Sequence, residues 1–186
     1  MKNIICIVGN PNCGKTTLFN ALTGSKQEVG NWPGVTVDKK TGRYSFEGNE
    51  VEIVDLPGIY SITPASTSGE DERIARDYIL TDEAQAVINI VDASNLERNL
   101  YLTAQLIEMR VPMVVAVNML DIAKNHKIEV DLKALQQALG CPVVGLVAAR
   151  EQGVRELQKT VAEFLKNPQL PPMNVSFDER IEKARE

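Results

Sequence analysis

Gly9-Asn10-Pro11-Asn12-Cys13-Gly14-Lys15-Thr16 follows the apolar run Ile4-Ile5-Cys6-Ile7-Val8 and leads into Thr17-Leu18-Phe19-Asn20-Ala21-Leu22. The octet has the spacing GxxxxGK[ST], and its flanks read as a buried strand and a helix, which is the context a phosphate loop requires. Glycines at positions 9 and 14 let the main chain turn so that its N–H groups converge on an anion. The helix start adds partial positive charge and free donors. Lys15 supplies a point charge for outer phosphates, and the Thr16 hydroxyl suits Mg²⁺. Residues 9–17 are therefore the first candidate nucleotide-binding segment.

Working outward, apolar runs alternate with helical patterns. Strands are expected over 4–8, 50–54, 86–91, 113–117 and 142–146, with a looser alternation at 39–46 that reads as an edge strand. Helices are expected over 15–22, 71–80, 96–109, 131–139 and 154–165, with Gly140 stopping the fourth. Strand–helix alternation with fully apolar strands implies an α/β fold of three layers with a mainly parallel six-stranded sheet. Two stretches break the rhythm, 25–37 and 56–69, and both read as long loops of the functional kind. Residues 167–173 hold three prolines and read as a linker, after which a charged helical pattern resumes at 177–185.

Composition narrows the class. The chain has 186 residues, 44% hydrophobic and 24% charged, as expected for one soluble globular domain. A net charge of -5 argues against a nucleic-acid surface. Cysteines 6, 13 and 141 form no CxxC pair and suggest a reducing compartment. The single histidine, His126, excludes a His-rich metal cluster, and no stretch approaches the length of a membrane span.

Two further motifs stand at strand ends. Asp55-Leu56-Pro57-Gly58 places a carboxylate where Mg²⁺ would lie, and Gly58 offers a backbone N–H to a γ-phosphate. Asn118-Met119-Leu120-Asp121 follows the strand at 113–117, and the Asp121 carboxylate can accept both the N1–H and the amine of guanine, which adenine cannot offer. Gly69-Glu70-Asp71-Glu72 would set acids at the start of the next helix.

Together these residues resemble the GTP-binding domain of translation-factor-related and Ras-like GTPases, over almost the whole chain. The resemblance implies that Thr36 closes on Mg²⁺ and the γ-phosphate, and that Val147-Ala148-Ala149 is the last base-contacting loop. That loop lacks the usual serine hydroxyl, so only a backbone contact from about Ala149 carries over. Met119 stands where the family has lysine and can pack on the base without adding charge. Ile59 replaces the glutamine that orients water in Ras-like enzymes, which implies slow hydrolysis or another device. Asn12 matches the phosphate-loop asparagine of relatives that use K⁺ to neutralise charge between the phosphates.

The stretch Val29-Gly30-Asn31-Trp32-Pro33-Gly34-Val35-Thr36, together with the phosphate loop, closely resembles the bacterial FeoB family of ferrous iron transport protein B. This implies that the carbonyls of Gly30 and Trp32 complete a K⁺ site with Asn12. It also implies that Thr16, Thr36 and, through a water, Asp55 hold Mg²⁺. Asn12, Lys15, Thr36 and Gly58 would carry catalysis. Residues 1–166 would be the GTP-binding domain, and 167–186 the linker and the start of a truncated helical domain. The expected partners are GTP and GDP, the helical and membrane domains of the same protein, small regulatory transport proteins and an oligomer, with no nucleic acid. The expected location is the cytoplasmic face of the inner membrane. A ribosome- or RNA-associated, potassium-dependent GTPase is the alternative. Cys13, beside Lys15 at a helix start, has two readings: a thiol with a lowered pKa that is alkylated faster without nucleotide, or a small residue tolerated in the loop.

Overall fold

The computed structural model describes residues 2–62 and 69–172. Residues 63–68 of the second loop and the helical pattern at 177–185 lie outside the described residues. The elements run β1 (Asn3–Gly9), α1 (Lys15–Thr23), β2 (Gln27–Asn31), β3 (Asp38–Phe46), β4 (Asn49–Asp55), α2 (Glu70–Leu80), β5 (Ala86–Asp92), α3 (Leu96–Glu108), β6 (Met113–Asn118), α4 (Leu120–Asn125), α5 (Leu132–Leu139), β7 (Val143–Gly145) and α6 (Val154–Lys166).

β1 lies at the centre of the sheet because every residue from Ile5 to Val8 is fully buried, and only a strand covered on both faces can bury such a run. Its side chains alternate between two cores. Cys6 and Val8 pack with Leu100 and Leu106 of α3 and with Leu135 and Leu139 of α5. Ile5 and Ile7 pack with Leu18, Phe19 and Leu22 of α1 and with Leu157, Val161 and Phe164 of α6. The sheet order is β2-β3-β4-β1-β5-β6-β7. β1 pairs in parallel with β4 and β5, and β6 with β5 and β7, whereas β3 runs antiparallel to both β4 and β2.

The sheet therefore has seven strands, one more than expected, and 25–37 is not wholly loop. β2, Gln27-Glu28-Val29-Gly30-Asn31, has no apolar alternation and is mostly exposed. Main-chain pairing with β3 alone makes it a strand, so β3 is an inner strand and β2 the edge. The helix over 132–139 forms as expected. Asp131 caps it by accepting from Ala134 N at 3.0 Å, and Gly140 ends it at φ 70°. The described part of the linker folds back on that end, where a Cβ on Gly140 would lie 2.7 Å from Pro172 Cδ.

Candidate functional site

The phosphate loop leaves the carboxyl end of β1 and is shaped by two close approaches. Gly14 has φ 92°, and a Cβ there would sit 2.2 Å from Asn118 Nδ2. A Cβ on Gly9 would sit 2.7 Å from the Ile90 carbonyl oxygen. Neither position admits a side chain. Asn12 also has positive φ, 65°, and its side chain is exposed. Thr16 and Thr17 are exposed in the first turn of α1, at the rim of a 570 Å³ cleft that Lys15, Gly58, Met119 and Asp71 also line.

Lys15 Nζ donates to Asp55 Oδ1 at 2.5 Å, bringing the phosphate-loop lysine and the carboxylate at the end of β4 into one ion pair. Both side chains are largely buried. The backbone after Asp55 continues the ladder: Leu56 N donates to Ile7 O at 3.1 Å and Ile59 N to Gly9 O at 3.0 Å. Gly58 is pressed against the loop, since a Cβ there would meet Pro11 Cα at 3.2 Å. The Ile59 side chain is 2% exposed and belongs to the α2–α3 core, so it does not face the cleft.

Asn118 does more than end β6. Its Nδ2 donates to Cys13 O at 3.1 Å, and its Oδ1 accepts from Ala148 N at 2.9 Å. One buried amide thus ties the phosphate loop to the Val147-Ala148-Ala149 loop. The motif marks Asn118 as a nucleotide-binding residue, and the residue spacing gives no sign of the bridge. Met119 is held in the left-handed region at φ 62°. Asp121 stands half-buried in the first turn of α4, a six-residue helix the sequence patterning did not disclose. Ala149 is exposed in the short 3-10 turn Ala148–Arg150.

The other expected ligands lie elsewhere. Gly30 is exposed on the edge strand β2, and Thr36 is exposed in the turn that follows. Trp32 is buried against α2, and its carbonyl accepts from Val35 N at 3.2 Å. None of the three lines the phosphate-loop cleft. The acids Glu70, Asp71 and Glu72 occupy the first turn of α2 and complement its dipole without a side-chain cap bond. Asp71 also reaches the cleft rim.

Of the two readings of Cys13, the structure favours the small residue tolerated in the loop. The thiol is 1% exposed, and burial pushes its pKa up to about 11, outweighing the lowering effect of Lys15. An enclosed, neutral thiol is not the activated nucleophile that its neighbours suggested. Cys6 and Cys141 are likewise buried and free.

With this geometry in view, a family model described as Ferrous iron transport protein B matches residues 3–161. The Fe(2+) transporter FeoB of Escherichia coli (strain K12) is 53% identical over 167 residues, which is 89% of this chain and 22% of that protein. The chain thus spans under a quarter of the length of the curated relatives it matches. Among solved structures, the cytosolic domain of L. pneumophila FeoB is similar at 45% identity and a TM-score of 0.85, covering 94% of this chain and 73% of that one. The cytosolic domain of T. maritima FeoB in its GMPPNP form is similar at 42% identity and a TM-score of 0.85, covering 89% and 65%.

Proposed function

We propose, because the chain belongs to the ferrous iron transport protein B family, that it is a guanine-nucleotide switch. It binds GTP and GDP, hydrolyses GTP slowly to GDP and phosphate, and so regulates ferrous-iron uptake by a longer protein of the bacterial inner membrane. It works on the cytoplasmic face. Its state is read by the helical and membrane domains of that protein and by small regulatory transport proteins. The observation that carries the reading is the convergence of Lys15, Asp55 and Asn118 where β1, β4 and β6 end together.

The chain's own groups divide the work. Backbone N–H groups of residues 9–17 cradle the phosphates, and Lys15 exchanges Asp55 for a phosphate oxygen. Asn118 holds the loop against Ala148, while Met119 and Asp121 take the base, Asp121 by accepting its two donors. The donor set fits Mg²⁺, since the Thr16 hydroxyl and Asp55 carboxylate are hard oxygen ligands beside the cleft. Thr16, Thr36 and, through a water, Asp55 would hold it. The Asn12 amide, exposed beside the loop, would suit K⁺, and the Gly30 and Trp32 carbonyls, which lie outside the cleft in this structure, would complete that site once the first loop moves to it. When bound, the two cations neutralise charge on the outer phosphates. Ile59 cannot orient water, being apolar and buried, so acceleration rests on charge.

The test is GTP turnover at fixed ionic strength in KCl against NaCl, for wild type and Asn12→Ala. We expect K⁺ to speed turnover about tenfold or more, in line with charge stabilisation, and the variant to lose that gain. The same slow rate in both salts would remove the K⁺ role and leave a switch that awaits a partner's catalytic group.

A further inference from the structure

We propose that Trp32, Tyr78 and Lys39 form a clasp that keeps the first loop off the phosphate cleft, making Tyr78 and Lys39 positioning residues for the loop's closure on nucleotide. The inference rests on the reading above, in which Gly30, Trp32 and Thr36 come to the nucleotide.

Trp32 is flanked by exposed residues, Asn31, Pro33 and Gly34, yet is only 5% exposed itself. Its ring meets that of Tyr78 edge-on, with centroids 5.6 Å apart and planes at 69°. The Lys39 ammonium covers both rings, 4.8 Å from the Trp32 centroid and 5.9 Å from that of Tyr78. Lys39 is also the cross-strand partner of Gly30, so the same side chain borders two of the residues the loop must deliver.

The seat is held at a cost. Trp32 Nε1 and the Tyr78 hydroxyl are buried with no hydrogen-bond partner among the described residues. Buried indole and phenol groups normally find one, and leaving them unpaired is unfavourable. Release would return both groups to water. Aromatic and cation–π attraction on one side, two unsatisfied polar groups on the other, make an element whose two positions lie close in free energy. The main chain is engaged as well. Trp32 N donates to Val37 O at 2.9 Å, and the Trp32 carbonyl accepts from Val35 N at 3.2 Å, which ties both to the turn.

Tyr78 also connects the clasp to the cleft. Asp71, on the cleft rim, and Tyr78 are seven residues apart on α2, which puts them on one face two turns apart. Ile59 and Ile62 of the second loop share the apolar cluster that receives Trp32. A displacement of α2 at the cleft therefore reaches the first loop through one rigid helix.

Trp32 is the only tryptophan in the chain, so its emission reports the clasp directly. The experiment follows emission and acrylamide quenching in the nucleotide-free, GDP and Mg²⁺–GMPPNP states, with binding measured separately by calorimetry. It compares wild type with Lys39→Ala and Tyr78→Phe. Wild type is expected to be shielded without nucleotide and with GDP, and to red-shift with GMPPNP. Lys39→Ala should be partly red-shifted without nucleotide and raise the GMPPNP-over-GDP affinity ratio by about threefold to tenfold, as loss of a restraint on the open loop shifts populations. Tyr78→Phe, which keeps the ring and removes the unpaired hydroxyl, should leave Trp32 at least as shielded as in wild type and lower the GMPPNP-over-GDP affinity ratio. GMPPNP binding with unmoved emission, or an unchanged affinity ratio in Lys39→Ala, overturns the clasp alone. No heat of GMPPNP binding overturns the nucleotide-switch reading, and the clasp with it.

Discussion

Two regions of the chain's first 60 residues are built on opposite principles. The phosphate loop and its surroundings are buried and tied at several points: Lys15 to Asp55, Asn118 to both Cys13 and Ala148, Ile59 N to Gly9 O. The β2 edge and the turn after it are exposed, polar and held by one strand ladder and one aromatic seat. The first region is a preformed cradle, and the second is free to be somewhere else. The difference teaches that substitutions in the cradle should damage fold and function together, whereas those in the edge region should damage function alone.

Asn118→Ala is the strongest challenge to that division. It leaves the Cys13 carbonyl and the Ala148 N–H without their buried partner. At about 1–3 kcal/mol for each of these two groups, stability should fall by about 2–6 kcal/mol. A calorimetric scan of the nucleotide-free protein should show a Tm drop of about 4–24 °C. An unchanged Tm would mean that the cradle is not held by this bridge. Alkaline titration is gentler. Cys13 has its pKa raised from 9.0 to about 11, so its thiol is neutral in both states below pH 9. Between pH 9 and about 11 only the unfolded chain releases that proton, and stability falls through that window, by about 3 kcal/mol from this group. Cys141 is shifted in the same direction by the same cause. Urea midpoints measured across this range, with and without Cys13→Ser, check the slope, and a flat profile would show the thiol to be exposed. Thr36→Ala should do the least to the fold. Its side chain is exposed, so the urea midpoint should not move. If the edge region serves the nucleotide, GTP turnover should still fall by about tenfold, the loss expected of one charge-stabilising contact.

The contrast also explains what could be read before the structure. The cradle was legible because each part carries a chemical mark at a strand end: the glycines and lysine of the phosphate loop, Asp55, and Asn118 with Asp121. β1, β5 and β6 were legible as apolar runs because strands covered on both faces must be apolar. β2 was not, since an exposed edge strand needs only its main-chain bonds, and Gln27-Glu28-Val29-Gly30-Asn31 shows no period. The bridging role of Asn118 was hidden because it depends on three loops meeting in space. The two readings of Cys13 could not be separated because its sequence neighbours are charged and polar while its surroundings are apolar.

The Lys15–Asp55 pair has a kinetic consequence. In this arrangement the lysine is already neutralised, and the chain as a whole carries a net charge of -5. An approaching polyphosphate is therefore drawn in by little long-range attraction, and capture depends on trading one carboxylate for another anion at short range. Association should be slow for so open a cleft and only weakly sensitive to salt. On the proposed function, Asp55 would stay at hand to reclaim the amine as the nucleotide departs, so that a residue helping to hold the ligand would also hasten its exit.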